Sequence, residues 1–325
     1  MSKKVEVGKF GWLFLHNDSN SSVDQYTGRR LLSDDDLYSW EQYFDGIKAL
    51  SKELGFSCAF FIAPAKEFIF PDYYPFERAT KTPVDQFLEK FQHNAPLIWP
   101  EKELSDDRDL AYWKGDTHWT DYGAAVGARS ILSLFGFNRF ERWDTVRYVI
   151  KPQIGDLGNK LTPPKTYSVA LADFGEIPNF KIFDNQIHNH GRIRVFECPS
   201  AESHYVCVLF GDSFSVALVP WIIPFFRRLV FVHTAGSVDR NILKSEKPTH
   251  VIFQSNSRFL ISPAKSSFLI HDLIKGKLKL LAEKELTILQ EEVMKQRSPE
   301  TSFYTGLMQK LFNVVREEGI SDNVI

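Results

Sequence analysis

The chain is short of several things, and each shortage removes a class of protein. Only three cysteines occur in 325 residues. Cys58, Cys198 and Cys207 share no metal-ligand spacing and make no even-numbered framework, so neither a zinc module nor a disulfide-stapled domain is expected. Cys58 and Cys207 lie inside apolar runs, where a thiol behaves as a small buried hydrophobe; this usage suits a reducing compartment. Charge of one sign is also scarce. The formal net charge is -2, with no block of like charge. A general nucleic-acid binder needs basic surface to neutralise phosphates, so that class is excluded. Long apolar runs are missing too. PWIIPFF (220–226) is too short to span a bilayer and carries two prolines. The N-terminal MSKKVEVGKFGWLFLHNDS offers only GWLFL, without the apolar stretch of about 7–15 residues and the cleavage site of a secretory signal. A soluble, cytoplasmic protein is the expectation. There is no internal repeat, no low-complexity segment and no phosphate-cradling motif.

What the chain has is core material. Hydrophobic residues make up 43% and aromatics 14%, with 28 phenylalanines, enough to fill a large interior. SDDDLYSWEQYFDGIKALSKELG (33–55) predicts an amphipathic helix with Ser33 at its start and Gly55 at its end. FSCAFFIAP (56–64) follows as a buried strand stopped by Pro64. PVDQFLEKFQ (83–92) reads as a helix, LIWP (97–100) as a short strand, and TDYGAAVGARSILSLFG (120–136) as a helix capped by Thr120. Residues 140–200 are irregular and read as loops and short strands inserted over the core. HYVCVLFGDSFS (204–215) is a strand with an abrupt turn, then a buried helix over 216–228 interrupted at Pro220 and Pro224. LVFVHT (229–234) and HVIFQS (250–255) are two more buried strands. Near-continuous apolar strands between helices predict an α/β fold whose sheet is parallel and covered on both faces. Residues 1–263 form the main domain in this reading, and 264–325 a polar helical C-terminal extension.

Two short stretches carry the chemistry. In GDSFS (211–215) a buried strand turns into a helix, so Ser213 stands at the carboxyl end of a strand, where open α/β sheets bind ligands. Gly211 permits the tight turn, and backbone N–H groups around Gly211 and Asp212 at the helix start suit a developing oxyanion. A serine hydroxyl needs an adjacent base, and the base needs an orienting carboxylate. GDTHW (115–119) supplies both: residues i and i+2 of an extended segment point to one side, so Asp116 can hold one ring nitrogen of His118 and leave the other for Ser213.

These residues resemble a family, the alginate O-acetyltransferases of the AlgX/AlgJ type, relatives of the SGNH hydrolases. GDTHWTDYGA looks like its D-x-H-W segment, and FGDSFS like its nucleophile segment. GKFGWLFLHNDSN (8–20), IAPAKEFIFPDYYP (62–75) and GDLG (155–158) have counterparts in the same order. The resemblance implies a three-layer αβα, flavodoxin-like fold with a mainly parallel sheet and a circularly permuted motif order, with Asp and His preceding Ser. It also implies Ser213 as nucleophile, His118 as base, Asp116 as its orienter, and transfer of acetyl to a hydroxyl of a polysaccharide or its sugar precursor. Other polysaccharide-assembly proteins are candidate partners. The family works in the periplasm, the alternative to the cytoplasmic reading. No metal or cofactor is expected beyond an acetyl donor, for which acetyl-CoA is a candidate. The same three residues with water as acceptor make a carbohydrate esterase; a catalytically silent assembly subunit is a third reading, and the complete Ser-His-Asp set speaks against it.

Remaining polar residues are weaker candidates. Asn256 or Arg258, near the end of a strand, can serve an oxyanion hole or fix local backbone, and Arg240 in the loop after 229–234 is similar. Gln254 and Arg258 stand where the family carries a Glu-x-x-x-Arg-like pattern. Trp119 is either a sugar platform or packing beneath the catalytic loop, the latter favoured. Lys66 either sits near the cleft or is a long solvated side chain, the commoner case, and His188 with His190 reads as a polar turn rather than a metal site, since no third ligand lies at a recognisable spacing.

Overall fold

Apolar strands that alternate with amphipathic helices must bury both faces of their sheet, and here the sheet lies between two helical layers. A computed structural model describes residues 4–321 except Asn94. In chain order the strands are β1 (Val5–Val7), β2 (Leu13–Leu15), β3 (Ser57–Ala63), β4 (Leu97–Ile98), β5 (Arg147–Gln153), β6 (Tyr167–Asp173), β7 (Lys181–Asp184), β8 (Ile193–Glu197), β9 (Val206–Gly211), β10 (Arg228–His233) and β11 (His250–Asn256). Seven of them make the central sheet, in the order β4-β3-β11-β9-β10-β8-β7. β4, β3, β11, β9 and β10 run parallel, while β8 and β7 join antiparallel at one edge. The fold is therefore α/β with a mainly parallel sheet.

The period of two along β3 distributes its side chains between the layers. Phe60 packs against Trp40 and Tyr43, at ring-centroid distances of 5.6 and 5.9 Å. Those rings belong to the helix Asp34–Leu54, which Ser33 caps by accepting from the Asp36 N–H and which ends at Gly55 with φ 76°. Phe61 faces the opposite way, onto Trp119 at 5.9 Å and onto Gly127 of the helix Asp121–Leu134. A side chain at Gly127 would meet the Phe61 and Trp119 rings within 3.2 Å, so the small residues of this helix are what let it approach the sheet. β11 is buried along its whole length, as a central parallel strand must be.

Two regions differ from the sequence expectation in detail. The helix after β9 spans Ser215–Ile222 and tolerates Pro220; a 3-10 turn at Ile223–Phe225 takes Pro224, and Arg228 already belongs to β10. Within 140–200, β5 and β6 form a separate antiparallel hairpin, whereas β7 and β8 extend the main sheet. The helices Ile270–Leu278, Glu283–Met294 and Ser302–Ser321 bury Ile274, Val293, Tyr304 and Phe312 in the same apolar core as the sheet. The Gln296 amide accepts from Asp184 N (2.7 Å) and donates to Asp184 O (3.0 Å), which satisfies the backbone of the exposed edge strand β7. Cys58, Cys198 and Cys207 are free thiols. Among the described residues no helix is long and apolar enough to cross a membrane.

Parallel pairing in register brings the carboxyl ends of four strands together. Asn256 lies beside Ala63, and His233 beside Gly211. The loops leaving this edge meet at one place.

Candidate active site

The first loop follows β9. A Cβ on Gly211 would lie 2.0 Å from Ser215 Oγ and 2.8 Å from Gln254 Oε1, so only glycine lets the strand turn here. Asp212 is buried and serves as the turn's internal anchor. Its N–H donates to Gln254 Oε1 (2.8 Å), and its carboxylate accepts from Phe214 N (2.8 Å) and Asn256 N (2.6 Å). Burial pushes the Asp212 carboxyl up despite those two N–H groups and the nearby Arg258 charge. Ser215 N donates to Asp212 O (3.1 Å) and Ser215 Oγ to Gln254 Oε1 (2.6 Å). The half-buried Ser213 thus sits on a turn held from β11.

The second loop precedes the helix Asp121–Leu134. His118 Nδ1–H donates to Asp116 Oδ1 (2.6 Å), which also accepts from the His118 backbone N–H (2.9 Å). That bond fixes the tautomer and leaves His118 Nε2 to accept from Ser213 Oγ at 2.8 Å. Burial raises the Asp116 carboxyl, but the His118 hydrogen bond and charge, with the N–H groups of Asp156 and His118, outweigh it; the net pKa lies well below the usual carboxylate range. The two loops are latched by Trp119, which is buried and donates from Nε1 to Phe214 O (3.1 Å), while Phe214 rests 4.9 Å from the His118 ring. Trp119 therefore packs beneath the loops, as favoured above.

A third loop, GDLG after β5, clamps the second. Asp156 N donates to the other carboxylate oxygen of Asp116 (2.7 Å). Thr117 returns two bonds to the Asp156 carboxylate, from N–H and from Oγ1, both 2.7 Å. A Cβ on Gly155 would lie 2.2 Å from Gly115 O and 2.7 Å from Asp116 Cβ, so glycine is what allows this approach. One carboxylate, Asp116, is consequently held by three N–H donors from two loops. Among the described residues, Asp116, His118 and Asp156 also form a group whose potential ligand atoms lie within 4.8 Å of one another. Those atoms are committed to the hydrogen bonds just given, which a cation would have to displace.

The other candidates separate. Asn256 is buried and spends its amide on Ala63 O (3.1 Å) and Pro64 O (3.5 Å), so it fixes backbone rather than facing Ser213. Arg258 is half-buried, stacks 4.9 Å from the Phe259 ring and shares a small cavity with Lys66 and Thr117. Arg240 is exposed on the helix Arg240–Glu246 and pairs with Glu53 of the outer helix, away from the three loops. His188 and His190 belong to the turn between β7 and β8, where no group of three ligating side chains occurs among the described residues. Gly211 and Asp212 act through space and through a side-chain carboxylate; the Asp212 N–H is already spent on Gln254.

Three residues named in the sequence have roles that it did not reveal. Asp156 and Gln254 are long-range partners with no local signal of their role. Lys66 is the opposite of a solvated lysine: it is 2% exposed and donates from Nζ to Leu13 O (2.8 Å) between the rings of Trp12 and Phe14. Burial lowers its pKa to about 7, although Asp116, Asp156 and Glu67 pull the other way.

The parallel α/β sheet thus presents a strand-end serine to a histidine of a neighbouring loop, and that histidine is held in turn by an aspartate two residues before it. Residues 5–159 match the family described as SGNH hydrolase-like domain, acetyltransferase AlgX, the type that GDTHW and its companion segments resemble. The match includes Asp116, His118 and Asp156 and stops before Ser213. Bacillus cereus PatB1 is similar in structure, with a TM-score of 0.56 at 16% identity over 82% of this chain and 98% of that one. The O-acetyltransferase domain of Pseudomonas putida AlgJ gives 0.53 at 18% identity, over 83% and 97%. A DHHW family protein from Eubacterium siraeum gives 0.51 at 14% identity, over 82% and 100%. At these identities the likeness is one of fold. No curated protein matches the sequence.

Proposed function

We propose that this protein is a serine-dependent O-acetyltransferase acting on hydroxyls of a polysaccharide or its sugar precursor. What supports the reading most directly is the unbroken row Ser213 Oγ, His118 Nε2, His118 Nδ1, Asp116 Oδ1, with contacts of 2.8 and 2.6 Å. His118 takes the proton from Ser213 Oγ as that oxygen bonds to the acetyl carbon of an activated ester or thioester, with acetyl-CoA one candidate. Negative charge moves to the carbonyl oxygen. The hydrogen bonds of the turn engage the N–H groups of Asp212, Phe214 and Ser215, so the Ser213 N–H is the donor available to that oxygen. The donor's leaving group departs with the proton from His118, and acetyl-Ser213 remains. A sugar hydroxyl then attacks, gives its proton to His118, and the ester passes to the sugar as Ser213 recovers the proton. Asp116 stays ionised throughout and stabilises the imidazolium.

The test is to incubate the protein with p-nitrophenyl acetate, with and without oligosaccharide, and to follow p-nitrophenolate, acetate and protein mass. The expected result is one acetyl group on Ser213, transferred to sugar when sugar is present, with Ser213→Ala inactive. Release of free acetate alone, whatever the glycan, would identify an esterase instead. A wild-type protein that never carries acetyl on Ser213 would end the covalent reading.

A further inference from the structure

Beside the second loop lies a groove of about 550 Å³, within the usual range of ligand sites. We propose that it binds the acceptor glycan; the proposal rests on the transferase reading above and adds where the sugar sits.

Tyr112 and Trp119 form an antiparallel bridge, flanked by Trp113 N donating to His118 O (3.2 Å) and Thr120 N donating to Ala111 O (2.9 Å). This register sets Trp113 directly opposite His118. Opposed residues of an antiparallel pair project to the same side, and the next pair projects to the other. Tyr112 and Trp119 accordingly point into the core, each 2% exposed. Trp113 points to the side of His118 and is half-buried. It is thus both a wall of the groove and, across the bridge, the residue opposite His118, which puts the groove next to the loop of the reacting centre.

The opposite wall is the β5–β6 hairpin. Tyr148 and Ile150, two residues apart and hence on one face, line the groove while remaining 40% and 74% exposed. Apolar surface left open on a strand marks a binding face when it is rimmed by polar groups. The hairpin is anchored to the loop that carries Asp116 and to the helix that follows it. Ala172 N donates to Asp121 Oδ2 (2.8 Å), and Tyr167 lies so close to Gly115 that a Cβ there would be 2.3 Å from its ring.

The lining selects a chemical class. Trp113, Tyr122 and Tyr148 offer aromatic faces of negative quadrupole, which attract the slightly positive C–H face of a pyranose ring. Lys114 and Ser168 at the same groove offer hydrogen bonds to the sugar's hydroxyls. Aromatic faces with a few polar groups suit a ring that is apolar on its faces and polar at its edge.

The experiment uses Trp113→Ala and Tyr148→Ala in the full chain, with Arg240→Ala as the control outside the groove. Acceptor probes are cello-, chito- and mannuronate oligosaccharides, with p-nitrophenyl acetate as donor. The readouts are the acceptor KM and the partition of acetyl between sugar and water. The expected result is an acceptor KM raised about tenfold and a partition shifted toward free acetate in both groove variants, with Arg240→Ala like wild type. Tyr148 is exposed on a hairpin, so its variant tests the idea even if Trp113→Ala folds poorly. Unchanged KM and partition in Tyr148→Ala, or no glycan of the panel accepting acetyl from a wild-type enzyme that does form acetyl-Ser213, overturns the groove assignment. A wild-type enzyme that forms no acetyl-Ser213 overturns the transferase reading itself, a separate outcome.

Discussion

Replacing Asp156 separates position from charge at this site. Its carboxylate accepts two 2.7 Å bonds from Thr117, which is 6% exposed, and its own N–H holds Asp116. Asp156→Ala leaves two buried Thr117 donors without an acceptor, at about 1–3 kcal/mol each when water cannot reach them. Part of that cost is recovered if the loop relaxes, but relaxation moves Asp116 and, through it, His118. A displacement of about 1 Å in such a constellation costs roughly 10²-fold in rate. Asp156→Ala should therefore lose about 2 kcal/mol of stability and about 10²-fold in kcat. Asp156→Asn differs. Its side-chain oxygen can still accept from Thr117 N, and its amide can donate to Thr117 Oγ1, so the loop keeps its shape while the charge is lost. Activity within a few-fold of wild type is expected. Acetylation rates from p-nitrophenyl acetate across pH, with thermal melts of both variants, make the comparison. If Asn is as damaging as Ala, charge rather than position matters and the reasoning fails; if Ala is harmless, the clamp has no part in holding Asp116.

Other expectations follow from the same contacts. Gly211→Ala places a methyl 2.0 Å from Ser215 Oγ, so it should cost about 1–3 kcal/mol and most of the activity, read by denaturant melts and acetylation assays. Lys66 has a folded pKa of about 7 against an ordinary value of 10.5, so between these the unfolded chain binds more protons and stability should rise with pH. Below about pH 7 both states are protonated and the burial penalty is at its largest; Lys66→Met should flatten the slope over that window, and an unchanged slope in urea melts would contradict it. Arg240→Ala removes an exposed ion pair and should change stability by less than about 1 kcal/mol.

Legibility in the sequence followed the range of the interactions. The helix Asp34–Leu54 and the strand β3 were readable within two residues because Ser33, Gly55 and Pro64 punctuate them locally. The helix around Pro220 was harder, because a proline-bearing apolar run satisfies several local patterns and only packing chose among them. The antiparallel entry of β7 and β8 into the main sheet left no local trace, since pairing partners are not encoded in the strand itself. Lys66 misled for a related reason: a lysine reads as solvated until rings from a distant hairpin are folded over it.

By itself the sequence determined the local chemistry: a carboxylate and an imidazole two residues apart in an extended segment, and a serine on a strand-to-helix turn with glycine before it. Such features depend on spacing and backbone direction, which neighbouring residues dictate. The tertiary structure alone decided that Ser213 meets His118 across 95 residues of chain, that Asp156 braces Asp116 while Arg240 pairs elsewhere, and that Trp113 stands opposite His118. Those outcomes depend on strand order and register, set by burying the sheet's two apolar faces at once, a condition that no single segment carries.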